Sequence, residues 1–321
     1  MDVWKLRLSM AATLAIIIGL STLIFTVILS LFSTFNLVTL GVFVVAFNIG
    51  QWLISPYIID ALYHTRQLGE NENPKLHEMV EELSRKSGIK TPKLMLAQIP
   101  MPNAFAYGSP LAGSRVAVTD GILKTLDAGE VEAVIGHELG HLKHRDVQIM
   151  MFASLLPAVF YYLGYSLMLS GSYGRQRSEG SNGALIGIGF MAFSWTLNMF
   201  ILYLSRLREY YADRHSAQTV DNGSQKLSSG LAKIVQASKN MGRNRKDKKN
   251  LNAFRALFIA DPDRAEIDSV ALSAAGVAGE ERLVQEILSR KLTTADKITE
   301  VFSTHPNIVK RLKALQDLRQ Q

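Results

Sequence analysis

The sequence predicts a mainly α protein with a small β-sheet, in which four transmembrane helices alternate with two polar blocks that assemble into one domain. Three observations carry this reading. Four long stretches hold no lysine or arginine, short strand-like runs punctuated by Pro and Gly follow Pro92, and the basic residues concentrate in the two polar blocks.

The uncharged stretches are residues 8–33, 37–61, 148–170 and 184–205. Each has at least the ~20 residues that a helix needs to cross ~30 Å of hydrocarbon. Asp60 is the only acid in any of them and lies at an edge. The first stretch follows Trp4, Lys5 and Arg7 as a signal peptide does. It is too long for a signal h-region and lacks a small-residue cleavage pattern after it, so it reads as an uncleaved anchor. The expected organisation is a two-span hairpin over 1–61, a first polar block over 62–147, a second two-span hairpin over 148–205 and a second polar block over 206–321. A hydrophobic content of 48% with a mean hydropathy of +0.11 suits such a mixture.

Net charge is +7, which in a soluble protein raises the question of nucleic acid. The distribution argues against it. Of 35 basic residues, 2 precede the first span, 10 lie in 62–147, 21 in 206–321, and Arg175 and Arg177 occupy the remaining loop. With four spans the first three groups share one side of the membrane. Lys143, Arg145, Arg206 and Arg208 abut spans there, which assigns that side to the cytoplasm. There is no cysteine, so a metal site must draw on histidine and carboxylates.

In the first block, Asn73-Pro74 opens a helix with Leu76, Met79, Val80 and Leu83 at helical spacing, and Gly88 ends it. "KLMLAQI", "NAFAYG" and "RVAVTD" then read as short strands. Asp127 and Glu130 form a capping-box pattern ahead of "GEVEAVIGHELGHLKH". The second block reads as mostly helical. Its run "GRNRKDKKN", 242–250, is expected as a solvated loop, with contact to anionic lipid headgroups as the alternative. Pro306 is expected at the start of a helix, with His305 at its N-terminal edge.

His137 and His141 are four apart, so on a helix both imidazoles can converge on one ion, and Glu138 beside them can reach a metal-bound water as general base. A catalytic zinc needs three protein ligands and an open position. "SRLREYYADRHSA" supplies the third candidate, Glu209, with Asp213 one helical turn further on. If the fourth span runs straight on, Glu209 stands about 6 Å beyond Ser205, and His141 lies just before the third span. The third and fourth spans form a hairpin, which brings both sets of ligands to one face. Asp213 is assigned the spare N–H of a ligand histidine, fixing its tautomer. His144 and His215 read as structural or surface residues.

"HELGH", "SRLREYYAD", "MPNAFAYG" and "THPNIVKRL" together resemble the HtpX-type membrane zinc metalloproteases, relatives of the CAAX prenyl proteases within the gluzincin group. The resemblance covers nearly the whole chain. It implies a zincin-like cytosolic catalytic domain with one Zn2+ per chain on His137, His141 and Glu209, and Glu138 as the base. It places Asn103 near the strand that receives substrate and His305 close to the metal. It also implies a plasma-membrane, multi-pass protein for quality control of membrane or unfolded polypeptides, its active site facing the cytoplasm. A second oxyanion donor is needed beside zinc; His305 is the candidate, with Tyr210 and Tyr211 competing. A peptide could add as a strand along "NAFAYG", with Asn103 bonding its backbone. Arg311, assigned with Asn103 to substrate binding, orients this corner or is a solvated helix arginine. Self-cleavage is plausible, because loop 242–250 could reach the site of a neighbour.

Three rival readings fit the sequence less well. A site-two intramembrane protease buries its H-E-x-x-H in a span, whereas this helix opens on "DAGEVEA". A CAAX prenyl protease shares the chemistry with more spans. A membrane scaffold or transporter would need a row of ionisable residues across the spans, and Asn48, Gln51 and Asn198 are too few.

Overall fold

The computed structural model describes residues 37–173, 183–242 and 280–320. The expected span 8–33 and most of the basic run 242–250 lie outside them. In chain order the elements are α1 Leu37–Leu62, β1 Thr65–Gln67, α2 Pro74–Ser87, β2 Lys93–Ala97, β3 Ala104–Ser109, β4 Gly113–Thr119, α3 Asp120–Thr125 and α4 Ala128–Lys143. They continue as α5 Asp146–Tyr173, α6 Gly183–Thr219, α7 Gly223–Gly242, α8 Glu280–Ser289, α9 Thr294–Val301 and α10 Ile308–Arg319.

Local chemistry sets these boundaries. The Asn73 side chain accepts the Leu76 N–H at 3.2 Å, Pro74 supplies the first turn, and Gly88 stops α2 at φ 69. The capping box of α4 is complete, Asp127 Oδ1 accepting from Glu130 N and Glu130 Oε2 from Asp127 N. Pro306, expected inside a helix start, instead precedes the cap: Asn307 accepts from Val309 N and α10 begins at Ile308. After Gly189, α6 meets no Gly or Pro before Thr219 and runs unbroken through the expected boundary at 205/206.

The four strands lie in the order β1-β2-β4-β3. β2 and β4 are parallel, from Lys93↔Arg115 to Ala97↔Thr119, and the flanking pairs are antiparallel. β1 was not foreseen. β3 occupies the edge. Strand alternation divides the sheet's side chains between two layers. Leu94, Leu96, Val116 and Val118 enter the main core with Leu76, Val80 and Leu83 of α2, Val131, Val134 and Ile135 of α4, and Leu227, Leu231 and Ile234 of α7. Met95, Ala97, Phe105, Tyr107 and Ala117 pack with Tyr63 and Met101 on the other side. Each fully buried aliphatic side chain contributes about 1.5–3 kcal/mol.

Glycines let α4 and α6 approach. A Cβ on Gly140 would lie 3.0 Å from Ala212 Cα, and one on Gly136 would lie 3.0 Å from Val220 Cγ2. Ser216 Oγ donates to the Ala133 carbonyl at 2.6 Å and ties the same two helices.

The described chain forms two compact units. One takes the residues up to Gly50 with Ala153–Asn198, and the other Gln51–Phe152 with the residues from Met199 on. Among the described residues, three helices are long and apolar enough to cross a membrane, starting at Gly41, Asp146 and Gly183. Within the first unit, α5 and α6 touch through small residues: a Cβ on Gly164 would lie 2.5 Å from the Gly187 carbonyl oxygen. Ser194 Oγ also donates to the Pro157 carbonyl at 2.7 Å.

In the second unit, burial of Tyr63 pushes its phenol from 10.0 up to about 12. A folded-state pKa above the unfolded one gives stability that is full below pH 10 and is lost as pH rises toward 12. The melting temperature of detergent-solubilised protein is therefore expected to fall across that window, and less steeply in Tyr63→Phe; equal slopes in the two proteins would contradict the assignment.

Candidate metal centre

α4 presents His137, Glu138 and His141 on adjoining positions, and α6 brings Glu209 against them. Nε2 of His137 and Nε2 of His141 are 3.2 Å apart. Glu209 Oε2 lies 3.7 Å from the first and Oε1 3.4 Å from the second. Among the described residues, these three form the one group of His, Asp and Glu side chains able to hold a metal, with donor atoms all within 4.8 Å of one another. His137, Glu138 and Glu209 are buried and His141 is nearly so.

The outer nitrogens decide what the inner ones are. His137 Nδ1 faces Asp213 Oδ1 at 2.9 Å, and His141 Nδ1 faces Asp146 Oδ2 at 2.7 Å. In a neutral imidazole a carboxylate opposite Nδ1 holds the proton there and leaves the Nε2 lone pair for a cation. The two Nε2 atoms point at one place, 3.2 Å apart. Glu209 Oε2 is buried beside them. Two imidazoles with a carboxylate are the donor set that suits zinc.

Each aspartate is itself held by an arginine. Arg311 Nε donates to Asp213 Oδ2 at 2.9 Å and Nη2 to Oδ1 at 2.6 Å, while Nη1 stands 3.1 Å from Glu209 Oε2. Arg208 donates to Asp146 Oδ1 and, at 3.2 Å, to the His144 carbonyl. Burial works to lower the pKa of His141, but Asp146 and Glu209 overcome it and raise it well above 6.5. For Arg311 burial also opposes the charge, and Asp213 and Glu209 more than restore it.

Glu138 sits at the junction of this cluster and the sheet. Its Oε2 accepts the Ala106 N–H of edge strand β3 at 2.8 Å. Burial raises the carboxyl's pKa above 4.5, against the pull of His141 and His137. The ladder's alternation turns the main-chain groups of Ala104 and Gly108 to the same open side as those of Ala106.

His305 follows α9, with Nε2 at 3.7 Å from Glu209 Oε1 and Nδ1 at 3.0 Å from Thr304 Oγ1. Its loop is clamped to α6: Arg206 Nη1 donates to the carbonyls of Glu300, Val301 and Ser303 at 2.8, 3.1 and 2.8 Å. Tyr211 is 61% exposed and packs toward His144. His215 is buried and bonded to Ser87 Oγ at 2.9 Å, a structural role as expected.

Arg311 is buried, which removes the solvated reading, and its guanidinium is engaged by Asp213 and Glu209. Asn103 lies in the buried turn before β3, its main chain locked to Thr119. Sequence reasoning missed Asp146, Arg208 and Arg206. Arg206 and Arg208 read only as charges that abut a span, and Asp146, five residues after His141, carries no sequence motif that marks it.

A H-E-x-x-H helix, a facing glutamate on a helix that begins as an apolar span, and an edge strand beside Glu138 together define a membrane metalloprotease. The model of Peptidase family M48 matches residues 70–319, and the chain belongs to this family. It is 38% identical over 288 residues to a protease HtpX homologue of Thermoplasma acidophilum, covering 88% of this chain and 86% of that protein. It is 36% identical over 332 residues to protease HtpX homologue 2 of Saccharolobus solfataricus, covering 98% and 97%. The crystal structure of S. mikatae Ste24p shares the fold with a TM-score of 0.56 at 18% identity; the match covers 97% of this chain and 66% of that one.

If Asp146 fixes the His141 tautomer, Asp146→Asn should weaken divalent-metal binding about 10–100-fold. Competition of the purified protein against a chromophoric chelator measures this, and unchanged affinity would show that Asp146 does not set the ligand.

Proposed function

We propose that this chain is a zinc endopeptidase that cuts membrane or unfolded polypeptides at the cytoplasmic surface of the plasma membrane, as part of protein quality control. The observation that carries the reading is the convergence of three metal-ligating side chains beside Glu138, itself bonded to an open strand edge. His137, His141 and Glu209 would hold one Zn2+, with Asp213 and Asp146 fixing the imidazoles. Bound there, zinc supplies Lewis acidity that acidifies water and polarises a carbonyl.

The chain's own groups do the rest. Glu138 takes a proton from the attacking water and later delivers it to the departing amine, a task that suits a carboxyl raised by burial. The substrate pairs as an added strand along β3, whose outward groups at Ala104 and Gly108 flank the position engaged by Glu138. Such main-chain pairing gives affinity with weak sequence demands. His305, held by the Arg206 clamp, donates to the oxygen on which charge develops. The cytoplasmic orientation is supported by the basic residues that abut the spans, and the location by the three apolar helices.

The test is zinc content paired with casein hydrolysis on detergent-purified protein. Wild type is expected to carry about one zinc and cut, Glu138→Gln to keep zinc and lose cleavage by at least ~100-fold, and Glu209→Ala to lose both. Full activity in Glu138→Gln, with contaminating proteases excluded, would sink the assignment of the base. Retained zinc in Glu209→Ala would sink the ligand set.

A further inference from the structure

The tip of the β3–β4 hairpin is apolar, exposed and tied to the membrane-spanning length of α1. From Ala104 to Ser114 the chain carries no charged residue, and Leu111 at the tip is 68% exposed. Two hydrogen bonds fix where the tip lies. Tyr107 donates to Asp60 Oδ1 at 2.6 Å, and two residues further along, Ser109 donates to the Leu53 main-chain carbonyl at 3.0 Å. Leu53 precedes Asp60 by about 10 Å along α1, at 1.5 Å per residue. The strand therefore climbs the helix away from the charged Asp60–Arg115 pair and ends beside an apolar turn, inside the candidate span that begins at Gly41.

The surroundings suit lipid. Ile54, Tyr57 and Ile58 on the same stretch of α1 are 54%, 51% and 54% exposed. A single exposed leucine on a soluble surface needs no explanation. Here it continues the outward face of a spanning helix. The turn also limits its own polar demand: the Ala112 N–H donates to Ser109 Oγ at 3.2 Å, and Gly113 takes φ +75 to close the tight hairpin. Polar backbone in lipid has to find such partners within the protein.

We propose that residues 110–112 are seated in the lipid bilayer, at the headgroup–acyl boundary alongside α1. The expected depth is that of an interfacial apolar segment, about 5–10 Å. Resting on the protease reading above, this seat holds the substrate-receiving strand at the membrane and favours polypeptide segments that emerge from the bilayer over freely diffusing ones.

The chain has no cysteine, so single spin labels can be placed at will. Leu111→Cys and Pro110→Cys are labelled in proteoliposomes, with Ile54→Cys as the lipid reference and Glu81→Cys as the aqueous one. Collision with oxygen, which concentrates in lipid, is compared with collision with a water-soluble nickel chelate. The seat predicts oxygen-to-nickel ratios at 110 and 111 several-fold above that of 81 and close to that of 54. Ratios equal to that of 81 would overturn it, as would low collision with both reagents, the signature of cover by a second copy. This readout is independent of proteolysis. The substrate clause is read from Leu111→Glu: cleavage of a membrane-anchored peptide should fall several-fold while casein hydrolysis holds. Equal loss on both, or none on either, would overturn that clause.

Discussion

The site depends on two buried chains of charge, Arg311–Asp213–His137 and Arg208–Asp146–His141. Each arginine fixes an aspartate, and each aspartate faces Nδ1 of one imidazole. The two Nε2 atoms then face one point. Removing one partner from a buried pair leaves a charge in the interior and costs about 3–5 kcal/mol. Replacing both could be neutral for stability but would free the imidazoles to turn. These ion pairs are therefore better understood as instruments of orientation than of stability. The glycine-lined approach of α4 to α6 serves the same end, since Glu209 reaches the histidines only when the helix axes come close.

Much of this was legible in the sequence. The H-E-x-x-H spacing, a second acidic pair one turn apart and the capping signals at Asn73 and Asp127 each follow from a local rule, and all appear in the structure. What was not legible depends on contacts distant in sequence. Asp146 and Arg208 are 62 residues apart, and nothing near either announces a partner. Arg206 caps carbonyls 94 to 97 residues away, so its local reading as a membrane-flanking charge was incomplete. β1, three residues of "TRQ", is too short to show any alternation and exists because β2 offers it a ladder. Arg311 read equally as orienting this corner or as a solvated helix arginine, and only the distant acids Asp213 and Glu209, which hold it buried, exclude the solvated reading.

The sheet links the site to the end of α1 by its own register. One layer of side chains joins the main core under α4, and the other meets the end of α1 through Tyr63, Phe105 and Tyr107. Asp60, the one acid in the uncharged stretches, is bonded there by Thr65 and Tyr107 and paired with Arg115. A residue that looked like an edge marker in sequence thus anchors a strand pair.

The Arg311 contact also bears on synthesis. Asp213 leaves the ribosome 98 residues ahead of the guanidinium that neutralises it. Until the C-terminal helix docks, Asp213 and Glu209 have no arginine at this position, and closing them together would bury uncompensated negative charge. These two buried carboxylates therefore gain their arginine only once residue 311 has been synthesised.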